Sequence, residues 1–170
     1  NCVPLGIEEQ NLCEIAEFAC KYPVHVRFIE MMPIGYGSSF TGMSQEKIVS
    51  LLEERFGRLV PYEGEPLGNG PCKYYIVKGF QGKIGFISAI SHKFCSECNR
   101  IRLTSQGYLK TCLQYTAGRD LREVLRNGGT DEELKEIIKE ALSEKPDGHH
   151  FREKAKEDDT ESLCMAQIGG

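Results

Sequence analysis

The segment 92–113 constrains this chain more than any other, because it carries Cys95, Cys98 and Cys112 in one short run. Two cysteines three positions apart can direct both sulfurs to one metal centre. The residues between Cys98 and Cys112 then indicate how the third thiol returns. Arg100, Arg102 and Thr104 alternate with Ile101 and Leu103, which is the two-residue period of a strand. Ser105, Gln106 and Gly107 suit a three-residue hairpin loop with Gly107 in the left-handed region. Pairing Thr104 with Tyr108 sets Lys110 opposite Arg102 and Cys112 opposite Arg100. Cys112, Arg100 and Arg102 then share one face. The pattern predicts a three-thiolate site with two guanidinium groups beside it.

Three thiolates leave the choice of metal open. A structural zinc site takes four protein ligands, which here needs His92, Cys72 or Cys164 as the fourth. That reading makes the chain a zinc-stabilised, non-catalytic binding module. A 4Fe-4S cluster on three cysteines instead leaves one iron free for a small molecule. The neighbouring arginines suit a phosphate-bearing ligand, because guanidinium binds phosphate bidentately. A disulfide with spare thiols is the third alternative.

The run from Phe94 through Cys95, Cys98, Arg100, Arg102 and Gly107, followed by Cys112 and Leu113, resembles the C-terminal cluster motif of the molybdenum cofactor biosynthesis protein A family. Two further runs match that family in the same order: Arg27–Gly35, including Glu30 and Met32, and the chain end Met165–Gly170. Its members are radical S-adenosylmethionine enzymes, lyases that act as GTP 3′,8-cyclases at the first step of molybdopterin synthesis. The resemblance implies that Cys95, Cys98 and Cys112 hold a second 4Fe-4S cluster whose open iron takes the purine of GTP. Arg100 and Arg102 then meet the triphosphate. It also implies that Asn1 and Met32 contact S-adenosylmethionine and that a tail of Gly169 and Gly170 reaches the active site. No catalytic side chain is assigned. The family's N-terminal Cys-x3-Cys-x2-Cys motif holds the cluster that cleaves S-adenosylmethionine, and no three cysteines here have that spacing. The chain opens at Asn1 without an initiating Met. The expectation is therefore the C-terminal half of such an enzyme, inactive without its N-terminal half.

The remaining sequence places these motifs on a fold. The expected class is α/β to α+β: the last helix–strand units of an incomplete TIM-like barrel over residues 1–60, then an iron–sulfur and GTP-binding region over 61–170. The second region is expected to hold a small antiparallel sheet bearing the cluster hairpin, C-terminal helices and the glycine tail. Residues 7–20 read as an amphipathic helix, with Leu12, Ile15, Ala16 and Ala19 on one face and Cys13 and Cys20 as small core residues. Residues 24–29 read as a strand with Val24, Val26 and Phe28 on one side. Residues 44–56 form a second helix, capped by Ser44 and ended by Gly57. Residues 35–42 read as a loop, and the Pro- and Gly-rich passage 61–71 as an exit from the barrel. Two strands, 74–78 and 83–90, flank a turn. Residues 119–126 form a short helix. Thr130 and Glu133 form a capping box that opens another, with Leu134, Ile137, Ile138, Ala141 and Leu142 as its stripe. Residues 143–161 read as a solvated polar segment in which His149 and His150 are surface histidines.

Composition excludes several classes. The net charge of −4 argues against a general nucleic-acid binder, which needs a broad basic surface. No apolar run approaches the length of a membrane span. Eight cysteines in 170 residues read as metal chemistry in a reducing cytoplasm rather than as a secreted disulfide framework. The expected partners are GTP, S-adenosylmethionine and the N-terminal half. A homodimer through an exposed half-barrel surface stands as an open alternative.

Overall fold

A computed structural model describes residues 1–7, 10–151, 161, 163 and 165–168. The chain divides into two units, residues 1–32 with 39–94, and residues 33–38 with 95–170. No helix among the described residues is long and apolar enough to cross a membrane.

The first unit is built on two helices and a four-stranded sheet. Helix α1 spans Leu12–Lys21 and buries Leu12, Ala16 and Ala19. It starts later than the apolar pattern suggests, because the Asn11 side chain accepts the Glu14 amide at 3.2 Å and caps the helix there. Strand β1 is Val26–Ile29, with Val26 and Phe28 buried; Val24 lies outside it and is exposed. Helix α2 spans Gln45–Phe56, with Ser44 accepting the Lys47 amide and Gly57 closing the end at φ 84°. Of its expected stripe, Ile48 and Leu52 are buried and Leu51 is exposed. A five-residue 3-10 turn at Gly35–Ser39 occupies much of the expected loop.

Three more strands complete this sheet: β2 at Leu59–Pro61, β3 at Lys73–Val77 and β4 at Ile84–Ile87. Their order is β1-β4-β3-β2. β1 runs parallel to β4 with Phe28 opposite Phe86, and the other pairs are antiparallel. The sequence places a break near residue 60 and joins these strands to the cysteine hairpin. Instead they belong with β1, and the two units separate between Phe94 and Cys95. The reason lies in β4, where Ile84, Gly85 and Phe86 are all buried. A strand covered in this way needs a neighbour on each edge, and β1 and β3 supply them. Phe28, Phe86 and Ile84 pack with Leu12, Ala16, Ala19, Ile48 and Leu52 as one core.

The second unit carries a three-stranded antiparallel sheet, β5 at Arg102–Leu103, β6 at Tyr108–Lys110 and β7 at Gly118–Asp120, in the order β5-β6-β7. Strand β7 takes up residues expected to be loop or the start of a helix. Helix α3 is therefore short, Leu121–Arg126, capped by Asp120. Helix α4 spans Asp131–Ser143. Its capping box forms in both directions: Thr130 Oγ1 accepts the Glu133 amide at 3.2 Å, and the Glu133 carboxylate accepts the Thr130 amide at 2.7 Å. Only Ala141 of its apolar stripe is fully buried, and Leu142 is exposed. With so little burial, this helix depends on its cap. Thr130→Ala is expected to destabilise the second unit by about 1 kcal/mol, while Thr130→Ser retains most of the stability. Urea denaturation followed by circular dichroism checks this, and equal loss in both variants would rule out the cap as the cause.

Candidate metal centre

The hairpin adopts the register that the sequence implies. Arg102 pairs with Lys110 and Leu103 with Leu109. The Thr104 amide donates to the Tyr108 carbonyl at 3.0 Å, and the Gly107 amide returns to the Thr104 carbonyl at 2.9 Å. Gly107 sits at φ 82°, and a Cβ there would stand 2.7 Å from Arg122 Cβ, so both backbone and space require glycine. The ladder ends at Arg102–Lys110, and the chain bends after Lys110. The expected pairing of Arg100 with Cys112 therefore lies beyond the regular strands.

Before the hairpin, Cys95–Glu97 forms a 3-10 turn, and the Cys98 amide donates to the Cys95 carbonyl at 3.1 Å. This tight turn holds the two cysteines on one short arc. Cys95, Cys98 and Cys112 are all half-buried, and none is in a disulfide. Arg102 is half-buried as well, whereas Arg100 is exposed. Burial pushes the Arg102 guanidinium below its ordinary range, and the neighbouring Arg100 charge adds to that; Cys98 and Cys112 act in the opposite sense. Arg102 thus stands within electrostatic reach of Arg100, Cys98 and Cys112. The described residues do not gather three His, Cys, Asp or Glu side chains at metal-holding distance. The hairpin register instead sets half-buried Arg102 opposite Lys110, two residues before Cys112.

By donor chemistry rather than by gathered geometry, three cysteine thiols suit a thiolate-bound cluster. Thiolate is the metal-binding form of cysteine, and nearby cations favour it. The sequence does not single out a further cation, Lys145. Its ammonium donates to the Cys98 carbonyl at 2.7 Å and the Arg100 carbonyl at 2.9 Å, and it lies 3.6 Å from Cys98 Sγ. No local pattern announces it, because Lys145 follows α4 and lies far from Cys98 in sequence.

Cys72 and His92, two of the candidate fourth ligands, belong to the first unit. Cys72 is half-buried in the first unit, beside Gly85 and Tyr74. Burial pushes its thiol up, more than contact with Tyr74 and the charge of Arg27 lower it, so its thiolate is disfavoured. His92 is exposed, with Nδ1 3.1 Å from Ser91 Oγ and Nε2 3.9 Å from Glu46. Cys164, Gly169 and Gly170 lie outside the described residues. Asn1 is exposed, and the adjoining Cys2 pairs in parallel with Phe28. Met32 is half-buried just beyond β1.

Two expectations about the polar segment are corrected. His149 is buried and stacks near Phe151 with ring centroids 4.8 Å apart, while His150 is exposed and its Nδ1 meets Tyr115 Oη at 2.7 Å. Glu161, read as part of a solvated acidic run, is buried and paired with the buried ammonium of Lys110. The strand register turns Lys110 inward, and an inward ammonium needs a counter-charge. A cavity of about 590 Å³ adjoins this pair, lined in part by Thr104, Tyr108, Arg122 and Gln167.

Comparison with known proteins gives the chain a family. Residues 24–151 match the family model described as Molybdenum Cofactor Synthesis C. The chain is 45% identical to a GTP 3′,8-cyclase of Clostridium perfringens over 95% of its own length and 49% of that protein's. It is 40% identical to the GTP 3′,8-cyclase of Syntrophomonas wolfei over 97% of its length and 50% of the relative's. The GTP 3′,8-cyclase of Gloeobacter violaceus is 39% identical over 97% and 51%. The chain spans about half the length of these curated relatives, which fits a C-terminal portion. With three-quarters of its residues matched by that one model and 39–45% identity to these relatives, the chain belongs to the Molybdenum Cofactor Synthesis C family.

Proposed function

We propose that this chain is the cluster-bearing, GTP-binding C-terminal part of a GTP 3′,8-cyclase in molybdenum cofactor biosynthesis, acting in the cytoplasm. In this reading Cys95, Cys98 and Cys112 hold a 4Fe-4S cluster. When bound, the cluster supplies an iron with an open coordination position for the purine of GTP. Arg102 and Arg100 grip the triphosphate, since a planar guanidinium matches phosphate oxygens in pairs. The helices and β1 of the first unit are the last units of a TIM-like barrel completed by the N-terminal half. Asn1 and Met32, near the start of the chain and the C-terminal end of β1, face S-adenosylmethionine, and Gly169 and Gly170 bring backbone donors to the substrate. The protein's contribution is orientation: fixed cations and thiolates hold the ligand for chemistry that the cofactors carry.

The observation that carries the reading is the hairpin register, which pairs half-buried Arg102 with Lys110 two residues before Cys112. A structural zinc knuckle has no use for a half-buried guanidinium on its hairpin. Anaerobic reconstitution followed by iron, sulfide and zinc assays tests it. The expected result is iron and sulfide in equal amounts, an electron paramagnetic resonance signal that shifts on addition of GTP, and no deoxyadenosine from S-adenosylmethionine. Stoichiometric zinc retained in place of iron, with no response to GTP, would establish the zinc-stabilised binding module instead.

A further inference from the structure

Lys145 lies just past the end of α4, ahead of Pro146, which prevents the helix from continuing. A lysine in this position usually extends into water. Here it is half-buried and reaches back across 47 residues to the cysteine turn. An ammonium has three N–H donors and no acceptor. Lys145 has three acceptors in reach: the carbonyls of Cys98 and Arg100 at 2.7 and 2.9 Å, and Cys98 Sγ at 3.6 Å. That distance is within the longer range of bonds to sulfur. The two carbonyls hold the backbone on either side of Asn99, which fixes where Cys98 and Arg100 project.

A second set of contacts ties the same segment to the site. A Cβ on Gly148 would stand 3.8 Å from Cys95 Cβ and 3.9 Å from its sulfur, so the strap runs against the other cysteine of the turn. Tyr115 Oη donates to the Gly148 carbonyl at 3.3 Å, and the His150 amide donates to Gln114 Oε1 at 2.5 Å. Gln114 is fully buried. Gln114 and Tyr115 follow Cys112 by two and three positions, so residues 145–150 are fastened to both ends of the cysteine hairpin.

We propose that Lys145 is a positioning residue of the cysteine site, which fixes the Cys98–Arg100 backbone and donates a charge-assisted hydrogen bond to the Cys98 sulfur. This rests on the reading of Cys98 as a cluster ligand. Hydrogen bonds to ligating sulfurs, and positive charge near them, stabilise the more negative reduced cluster and raise its reduction potential. Lys145 therefore sets the potential of the bound cluster as well as the geometry of its ligand turn.

The test is a redox titration, followed by electron paramagnetic resonance, of the full chain reconstituted anaerobically, with Lys145→Met, Lys145→Gln and Lys145→Arg beside the wild type. The expected order of potentials is wild type and the arginine variant highest, glutamine lower and methionine lowest, with iron content retained. Wild-type chain that takes up neither iron nor sulfide overturns the cluster reading, and this inference with it. A methionine variant with full iron and an unchanged potential overturns the inference alone. Should the methionine variant lose its fold by circular dichroism, the glutamine variant decides: a lowered potential supports the role and a wild-type potential refutes it.

Discussion

Cys112→Ala is expected to lose iron from the reconstituted chain as completely as Cys95→Ala or Cys98→Ala, with the far-ultraviolet spectrum unchanged. A site of three thiolates has no spare ligand, so removing any one leaves an iron without its bond to the protein. Cys112 is the informative position because it reaches the site only through the hairpin. Its neighbour Lys110 pairs with Arg102 across the ladder, and Gly107 turns the chain at φ 82°. In the same assay, Cys72→Ala and His92→Ala are expected to keep full iron. Burial disfavours the Cys72 thiolate, and His92 is engaged at the surface with Ser91 and Glu46. Full iron in Cys112→Ala together with its loss in Cys72→Ala would replace this ligand set.

The second large effect concerns the buried pair. Lys110→Met is expected to destabilise the second unit by about 3–5 kcal/mol, as is Glu161→Leu. In each single variant one buried charge loses the Lys110–Glu161 ion pair. The Lys110 and Glu161 side chains are only 3% and 4% exposed, so water cannot take over the missing contact. Among their other bonds, Lys110 Nζ donates to the Tyr115 carbonyl at 2.8 Å and the Leu163 amide donates to Glu161 at 2.8 Å. The double variant Lys110→Met with Glu161→Leu removes both charges and is expected to recover most of the loss. Denaturant titration of the four proteins measures the coupling. Single variants within about 1 kcal/mol of wild type, the range of exposed pairs, would show that the pair is solvated. Because Lys110 pairs with Arg102 in the ladder, the Glu161 carboxylate balances the charge of a cation on the same hairpin as the candidate site.

The elements that the sequence resolved are those set by local chemistry. Ser44 and the Thr130–Glu133 box mark helix starts by hydrogen bonds that span three residues. The hairpin register followed from a turn requiring glycine and a two-residue alternation, and it placed Arg102 opposite Lys110. The family resemblance was legible for the same reason, because Cys95, Cys98, Arg100, Arg102 and Cys112 lie within one short segment. Boundaries shifted where a competing local signal was overlooked: Asn11 caps α1 four positions after Ile7, although the apolar spacing begins earlier.

Tertiary structure decided what depends on residues far apart. β2, β3 and β4 join the sheet of β1, because the buried strand β4 needs a neighbour on each edge and the amino-acid pattern does not name them. Glu161 is buried rather than solvated, because its partner Lys110 is 51 residues away and composition weighs a charge without its counter-ion. His149 is buried for a comparable reason, since its neighbours His150 and Gly148 are held by Gln114 and Tyr115. Lys145 reaches Cys98 only because α4 brings its end back to the cysteine turn. Local sequence therefore determined the thiols, the arginines and the hairpin that carries them, since backbone chemistry acts over a few residues. Folding alone decided which distant charges surround them, because a buried charge is stable only where the chain returns a partner to it.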